Sequence, residues 1–128
     1  AVDVGYGQFD WKLRGDERVR LLERTNVRHL DRAELAEAAD LAVIDVSFIS
    51  LRLVLPVLVE LLKPRCEIVA LVNPQFEVGK GQVGKGGIVR DPAAQQRVVE
   101  EVADCARALG LEVCGWIDSP IVGAKGNR

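Results

Sequence analysis

The sequence predicts a doubly wound α/β fold, in which helices cover both faces of a mostly parallel, twisted sheet. Two short apolar runs, residues 41–44 and 68–72, lack the alternation of a half-exposed strand, and the polar residues Asp45 and Asn73 follow them directly. Such runs are typical of strands buried on both faces, as in parallel sheets. Helical patterns separate the runs, and the predicted order is β-α-β-α-β-α-β-α-β.

Two strands and a short helix are predicted at the start of the chain. Residues 1–5 are expected to contain a strand whose last residue is Asp3, and residues 19–23 are expected to form a second strand. Between them, the apolar side chains of residues 8–14 have helical spacing, and Gly15 is a helix stop signal. The chain is therefore expected to begin with a β-α-β unit.

Helices are also predicted on either side of the first apolar run. Asp31 followed by Glu34 is a capping-box pattern, which favours a helix that continues through Ala39. After the run, Ser50 can cap a strongly apolar helix, and Pro56 either kinks this helix or begins it anew. Both helices would connect parallel strands.

The last third of the chain is predicted to contain a loop, a helix and a strand. The loop spans residues 79–87 and is rich in glycine. Asp91 followed by Pro92 is the pattern of an N-cap and a first helical position, and Gly110 ends the helix. Residues 111–117 are expected to form the final strand.

Composition excludes several classes of protein. The 128 residues carry 17 basic and 19 acidic side chains, and the net charge of −2 creates no global field toward nucleic acid or membrane. No apolar run approaches the roughly 20 residues that span a bilayer, and no signal-peptide pattern is visible, so no membrane partner is expected. His29 is the only histidine, so no histidine-based metal site is expected.

The cysteines and the chain ends carry further information. Cys66, Cys105 and Cys114 are odd in number and lack C-x-x-C spacing, which favours reduced thiols and a cytoplasmic location. The chain contains no Met, begins within an apolar segment at Ala1 and closes at Arg128 without a final element. We therefore expect a part of a longer protein, truncated at both ends. The oligomeric state is not indicated.

Polar residues at strand ends are the first candidates for function, because ligands bind outside the carboxyl ends of parallel strands. Asp45 and Asn73 would stand at this edge. Asp3, at the end of the first strand, could accept hydrogen bonds from ribose hydroxyls or could be a solvated turn residue. Thr25 and Asn26 follow the second strand, where they could meet an adenine edge or form a turn.

The glycine-rich loop contains a partial phosphate-binding motif. Gly79-x-x-x-x-Gly84-Lys85 is similar to a P-loop, but Gly86 takes the place of the magnesium-binding Ser or Thr. An NTPase is therefore rejected. The lysines of this loop and Arg90 could still contact a phosphate backbone, or could simply be solvated.

A second local motif suggests methyl transfer to an amino group. Asn73-Pro74-Gln75-Phe76 resembles the N-P-P-F/Y motif of amino-methylating enzymes, in which an amide and a carbonyl receive the target NH₂. Gln replaces the second proline of that motif, and Asp45 already occupies the preceding strand end, where the motif normally falls. The match is therefore partial.

Longer motifs along the whole chain resemble a single family and stand in its order. They are Asp3-Val-Gly-Tyr-Gly-Gln, Leu22-Glu-Arg-Thr-Asn, Asp45-Val-Ser-Phe-Ile-Ser, Pro74-Gln-Phe-Glu, Gly84-Lys-Gly-Gly-Ile-Val-Arg-Asp-Pro and Ser119-Pro-x-x-Gly-x-Lys-Gly-Asn. On these residues the chain resembles the TlyA/haemolysin-A family of FtsJ-like, S-adenosylmethionine-dependent ribose 2′-O-methyltransferases of ribosomal RNA. The resemblance implies a partial Rossmann-like methyltransferase domain over residues 1–128, with S-adenosylmethionine as cofactor and ribosomal RNA or a ribosomal subunit as partner.

The resemblance also implies parts that these residues do not contain. Members of the family carry a small S4-type RNA-binding domain before the methyltransferase domain, and their cofactor-binding glycine loop would lie before Ala1. The haemolysin name is historical, since nothing in this sequence resembles a pore-forming protein or an amphipathic lytic helix. No membrane partner is implied.

Roles for individual residues follow from the same resemblance. Asp3 would bind the cofactor ribose, and Thr25 and Asn26 would lie beside the adenine. Asp45 would be the aspartate of the catalytic strand, next to the cofactor. FtsJ-like enzymes use a Lys-Asp-Lys-Glu set, in which a lysine held by carboxylates polarises or deprotonates the ribose hydroxyl in line with the sulfonium methyl. Asn73 replaces the lysine of the family's K-P-Q-F-E, and a neutral amide cannot act as a base near neutral pH.

Three hypotheses for the function follow. The first is an rRNA 2′-O-methyltransferase domain that, as this isolated chain, binds S-adenosylmethionine weakly and transfers methyl groups slowly or not at all. The second is a non-catalytic module derived from such an enzyme, which holds RNA or cofactor without turnover. The third is an amino-group methyltransferase that uses Asn73 and Pro74. A nicotinamide-dependent oxidoreductase fits less well, because no hydride-transfer site is evident.

Overall fold

The computed structural model of the protein describes residues 1–79, 83–84 and 87–121. The helices and strands, in chain order, are α1 (Trp11–Arg14), β1 (Ala39–Ile44), α2 (Leu51–Leu61), β2 (Leu62–Ala70), α3 (Pro74–Glu77) and α4 (Pro92–Ala108). Single 3₁₀ turns span Val27–His29 and Arg32–Glu34. Helices and parallel strands therefore combine in an α/β arrangement, as the sequence predicts.

The two apolar runs form the paired strands β1 and β2. These strands are parallel, with Val43 opposite Val69 and Ile44 opposite Ala70. α2 makes the crossover between them, and Leu71 N donates a hydrogen bond of 2.8 Å to Ile44 O beyond the last residue of β2. The carboxyl ends of both strands consequently lie side by side at one edge of the sheet.

One face of this sheet packs against α2 and α4. Ile44 from β1, Leu51, Val54 and Leu55 from α2, and Val102 from α4 form the buried cluster at the centre of the core. The apolar side chains of α4 recur at helical spacing, so that they form one stripe that faces the sheet. The core therefore lies directly beneath the strand ends.

The opposite face of the two strands is exposed in the part of the chain that the structure describes. Leu41, Val43 and Val69 are 50%, 75% and 61% exposed. Helices over both faces are expected from the sequence, whereas α2 and α4 share one face. Burial along β1 therefore alternates between a packed and an open side.

The predicted first and second strands meet in a parallel pair, but only through a single bridge between Val2 and Leu22. Asp3 N donates to Leu22 O at 2.9 Å, and Thr25 N donates to Asp3 O at 3.0 Å. α1 lies between these two segments, so this parallel pair corresponds to the β-α-β unit predicted at the start of the chain.

The prediction of a helix from Asp31 through Ala39 is wrong. Its capping box does form, because Ala33 N donates to Asp31 Oδ1 at 2.7 Å and Asp31 N donates to Glu34 Oε1 at 3.0 Å. However, a single 3₁₀ turn is followed by extended backbone at Leu35, and β1 begins at Ala39. A cap satisfies the first turn only, and a helix this short needs a buried face to offset its nucleation.

β2 spans Leu62–Ala70 rather than the predicted run 68–72, so it begins earlier than predicted and also ends earlier. The helix boundaries are closer to those predicted. α1 begins at Trp11, later than expected, because Asp10 serves as its N-cap. α2 is one continuous helix through Pro56. α4 agrees with the prediction: Asp91 caps its first turn, and Gly110 follows its end with φ of +82°. A left-handed glycine just after the last turn is a common helix terminator.

No strand forms over residues 111–117, contrary to the prediction. Isolated extended segments are stable only when another strand pairs with them, and no strand edge among the described residues pairs with this one. Gly115 has φ of +144°, and Ile117 is 87% exposed. The predicted loop over residues 79–87 lies largely outside the described residues, and so do its lysines.

Three further observations bear on the class of protein. Within residues 1–79, 83–84 and 87–121, no helix is long and apolar enough to cross a membrane. In the same part of the chain, no group of three or more His, Cys, Asp or Glu residues is arranged to hold a metal ion. Cys66 and Cys105 are half-buried free thiols, and Cys114 is an exposed one.

Leu55→Ala is expected to destabilise the fold by about 2–5 kcal/mol, because Leu55 is only 3% exposed within the core beneath the sheet. Leu53→Ala is the matched control on the same helix, since Leu53 is 48% exposed and its loss should change the free energy of unfolding by less than about 1 kcal/mol. Urea unfolding followed by circular dichroism measures both variants. Equal losses would contradict the assignment of the buried face of α2.

Candidate active site

The ends of β1 and β2 bring together Asp45 and Asn73, which we call the rim pair. Asn73 Nδ2 donates a hydrogen bond of 3.2 Å to Val46 O and lies 3.4 Å from Asp45 Oδ1. Asp45 is exposed, whereas Asn73 is half-buried. The amide thus orients an exposed carboxylate at the rim of the sheet without adding a charge of its own.

Two aromatic residues lie close to the rim pair in the chain, since Phe48 follows Asp45 and Phe76 follows Asn73. The rings of Phe48 and Phe76 are 5.1 Å apart and inclined at 49°. Phe48 is 92% exposed and has φ of +63°, a left-handed conformation that bulky side chains rarely adopt. Backbone strain of this kind is concentrated at functional sites. Both rings stand in the motifs identified in the sequence, but their pairing and exposure could not be predicted from it.

A buried glutamate, Glu77, ends the short helix α3 that follows Asn73, and sequence reasoning gave it no role. The side chain of Glu77 is only 2% exposed. Its Oε1 accepts a hydrogen bond of 2.6 Å from Leu51 N, and its Oε2 accepts one of 2.5 Å from Ser50 Oγ. Both donors belong to the N-terminus of α2, where the helix dipole favours negative charge. The carboxylate therefore caps α2 from a neighbouring element.

Arg52 covers this carboxylate on its outer side. Its Nη2 donates a hydrogen bond of 3.1 Å to Glu77 O, and its Nε lies 3.6 Å from Glu77 Oε2. On the other side, Nη1 forms an ion pair of 3.1 Å with Glu101 of α4. The arginine therefore links α2, α3 and α4 around one buried charge.

A second group of polar residues lies where the Val2–Leu22 pair ends. It consists of Asp3, Thr25 and Asn26, and we call it the N-terminal group. The backbone of Thr25 donates a hydrogen bond of 3.0 Å to Asp3 O, which places these two residues side by side. Asp3 Oδ1 accepts from Gly5 N at 2.7 Å. No hydrogen bond within the described residues joins this group to the rim pair. In the described part of the chain, hydrogen bonds therefore join the predicted site residues in two separate groups rather than in one continuous cluster.

Glu23 fastens the glycine-containing loop of the N-terminal group. Its Oε1 accepts hydrogen bonds from Gly7 N at 2.7 Å and from Arg14 Nη2 at 2.6 Å. The hydrogen bond from Arg14 lowers the pKa of Glu23 below its usual range. In addition, the Arg24 guanidinium lies 4.3 Å from the ring centre of Tyr6. These contacts tie the loop to the second strand segment, and sequence reasoning did not anticipate them.

Glu23→Gln is expected to destabilise the protein near neutral pH but not in acid. Because folding lowers the pKa of Glu23, its stabilisation is complete above the usual carboxyl pKa of about 4.3 and is lost as the pH falls through the folded-state value. Urea unfolding of wild type and variant between pH 7 and pH 3 measures this. Glu17→Gln is the control, since Glu17 is an exposed glutamate in the same region. A difference that did not change with pH would contradict the role of the Arg14 hydrogen bond.

The fold and the two polar groups define a class of protein. Parallel strands whose carboxyl ends carry acidic and amide side chains are the architecture of nucleotide- and nucleoside-binding α/β domains. The chain belongs to the FtsJ-like methyltransferase family, whose profile matches residues 1–128. Membership of this family implies the use of S-adenosylmethionine.

Individual relatives agree with this assignment. The chain is 53% identical over 127 residues to the 16S/23S rRNA (cytidine-2′-O)-methyltransferase TlyA of Mycobacterium tuberculosis, covering 99% of this chain and 47% of that protein. It is 52% identical over 128 residues to YqxC of Bacillus subtilis, a candidate rRNA methyltransferase, with 99% and 46% coverage. A solved structure of a candidate hemolysin from Streptococcus thermophilus superimposes with a TM-score of 0.93 at 46% identity, covering 98% of this chain and 46% of that one.

These findings confirm the resemblance to the TlyA/haemolysin-A family and the Rossmann-like methyltransferase fold. The chain spans about half the length of the relatives it matches.

The N-terminal group fits the nucleoside end of S-adenosylmethionine. Asp3 is half-buried, and no hydrogen bond within the described residues engages its Oδ2, so this oxygen can accept from a ribose hydroxyl. A Cβ at Gly5 would lie 3.1 Å from Asp3 Oδ1, so a larger residue there would press on this carboxylate. Thr25 Oγ1 donates to a backbone carbonyl at 2.9 Å, and Asn26 Oδ1 accepts from a backbone amide at 3.0 Å. The Asn26 amide nitrogen is therefore the donor that remains for an adenine edge.

Proposed function

We propose that this chain is the methyltransferase domain of an rRNA ribose 2′-O-methyltransferase that acts on ribosomal subunits in the cytoplasm. The observation that carries the proposal is the rim pair, which holds an exposed carboxylate at the carboxyl edge of a parallel sheet. Support for the substrate comes from the relative of Mycobacterium tuberculosis, whose name specifies the 2′-oxygen of cytidine in rRNA. The exposed ring of Phe48 provides a surface on which an unpaired base can stack.

In this proposal the N-terminal group holds the cofactor. Asp3 accepts hydrogen bonds from its ribose, and Thr25 and Asn26 lie beside its adenine. When bound, S-adenosylmethionine supplies an electrophilic methyl group. Asp45, at the carboxyl end of β1, would contact the ribose that is methylated.

Asp45 is the residue of the rim pair that can move a proton. A ribose 2′-hydroxyl is a poor nucleophile, so an acceptor must take its proton as the oxygen is methylated. The Asp45 carboxylate accepts this hydrogen bond, while the Asn73 amide fixes its direction. Asn73 stands where the family pattern has a lysine, and a neutral amide adds neither a base nor a positive charge. We therefore propose slow turnover for the natural sequence.

The experiment that tests the proposal maps the methylated atom. The complete protein is incubated with unmethylated ribosomal subunits and isotope-labelled S-adenosylmethionine, and the RNA is then digested to nucleosides and analysed by mass spectrometry. The expected product is a 2′-O-methyl nucleoside. A methyl group on a base would contradict the proposal, and so would the absence of any transfer at high protein concentration.

Transfer to an exocyclic amino group is the second candidate function. It is favoured by Asn73 followed by Pro74 at a strand end, an arrangement in which an amide oxygen can accept a hydrogen bond from an NH₂ group. Against it, Gln75 replaces the second proline of the amino-methylating motif. The same digestion separates the two functions, because an N-methyl base is the product in this case.

A further inference from the structure

Glu77 connects the two segments that carry the rim pair. The first segment leads from Asp45 to Ser50 and the start of α2, and the second is the helix α3, which begins directly after Asn73. The Asn73 side chain contacts the first segment at one end of α3, and the Glu77 carboxylate contacts it at the other end, through Leu51 N and Ser50 Oγ. The first segment is therefore bound to α3 at both ends of that helix.

A carboxylate is an unusual choice for this buried place. Among the described residues Glu77 is the buried charged residue, and charged side chains are almost never fully buried unless they are paired. Here a helix-terminal amide and a hydroxyl donate hydrogen bonds to it, and the Arg52 guanidinium forms an ion pair of 3.6 Å with it. Buried ion pairs add little stability over well-packed apolar groups, so stability alone does not account for a charge at this place. The arrangement therefore favours a role in geometry.

We propose that Glu77 is a positioning residue of the active site. Its carboxylate fixes α3 against the N-terminus of α2 and thereby sets the distance between Asp45 and Asn73. The proposal rests on the proposed function in one respect only, namely that the rim pair is the place where the methyl group is transferred. The positioning itself is a property of the folded chain.

The substitution Glu77→Gln tests this role with the least change of shape. The glutamine oxygen can still accept a hydrogen bond from Leu51 N. Its NH₂ group can only donate, so the hydrogen bond that the Ser50 hydroxyl donates to the carboxylate is lost, and so is the ion pair with Arg52. α3 should therefore shift against α2, and the rim pair should shift with it. Displacements of about 1 Å at a catalytic group lower turnover by up to about 100-fold.

The first readout does not depend on activity. In a ¹H–¹⁵N correlation spectrum of the complete protein, the side-chain NH₂ signals of Asn73 report its contacts with Val46 O and Asp45. Glu77→Gln is expected to move these signals and to leave those of Asn26 in place. Glu60→Gln, which removes an exposed glutamate from the far end of α2, is the control and should move neither. Unmoved Asn73 signals in folded Glu77→Gln would overturn the proposal.

The second readout is methyl transfer to ribosomal subunits. Glu77→Gln is expected to lower kcat about 10- to 100-fold and to leave KM for S-adenosylmethionine unchanged, because the N-terminal group is not touched. A raised KM with unchanged kcat would overturn the proposal. If wild type transfers no methyl group, the proposed function fails, and the Asn73 signals alone decide the positioning role.

A second variant, Arg52→Gln, tests the same proposal if Glu77→Gln does not fold. Arg52→Gln removes the outer partner of the carboxylate at a side chain that is 41% exposed, so the core is not disturbed. We expect the Asn73 signals to move in the same direction as in Glu77→Gln, but by less. Movement in Arg52→Gln supports the proposal, and its absence in both variants overturns it.

Discussion

Asp45→Asn is expected to lower the rate of methyl transfer about 100-fold or more while the fold is retained. The change removes the only group of the rim pair that can accept a proton, and positioned acid–base groups contribute about 10²- to 10⁴-fold. Stability should change by less than about 0.5 kcal/mol, because the side chain is exposed and asparagine has the same shape. Single-turnover assays with labelled S-adenosylmethionine and ribosomal subunits measure the rate, and thermal unfolding measures the stability.

Asp40→Asn is the matched control for this prediction. Asp40 lies on the same strand at its opposite end, and its ion pair of 2.8 Å with Lys63 is at the surface. Surface ion pairs contribute little, so this variant should keep both its activity and its stability. If Asp45→Asn transferred methyl groups at the wild-type rate, Asp45 could not be the proton acceptor, and the mechanism proposed above would be wrong.

Asn73→Lys is expected to raise the rate of methyl transfer about 100-fold. A lysine at the end of β2 restores the residue of the family pattern and places a positive charge beside the Asp45 carboxylate, where it can polarise the ribose hydroxyl. Its ammonium group can also replace the hydrogen bond that Asn73 Nδ2 donates to Val46 O. The assay is the same single-turnover measurement, with wild type and variant side by side.

Asn73→Met controls for the length of the new side chain, because methionine is long and flexible but carries neither charge nor strong hydrogen-bonding groups. It should give no gain. Rapid methyl transfer by the natural Asn73 protein, without further gain in Asn73→Lys, would contradict the account of this position. Activity that appears only with lysine would instead identify the natural chain as a non-catalytic module, and would overturn the proposal of slow turnover.

Local pattern could predict the elements that carry a strong local signal. β1 and the last part of β2 coincide with the two apolar runs, and α4 follows from the cap at Asp91 and the stop at Gly110. The sequence also indicates the capping box at Asp31, but only one 3₁₀ turn forms around it. A cap lowers the free energy of a helix start, whereas helix length depends on a face that can be buried, and burial is decided by the rest of the fold.

The candidate site divides in the same way. Asp45 and Asn73 could be named from the sequence, because a polar residue that directly follows the apolar run of a parallel strand stands at the carboxyl edge of the sheet. Glu77 could not, because a glutamate in a sequence is expected at the surface. Its burial depends on Leu51 N, a donor 26 residues away that only the fold brings within 2.6 Å. The left-handed backbone of Phe48 likewise has no signal in residue type.

The sequence by itself determined the α/β class, the family and the two strand ends at which chemistry is expected. These depend on residue order and on short-range periodicity, which the chain carries without reference to its fold. The tertiary structure alone decided that the two strand ends meet through an amide and that a buried carboxylate joins their loops. Those contacts join residues far apart in the chain, and the free energy that selects them comes from burial and from hydrogen bonds that exist only after the strands and helices have packed.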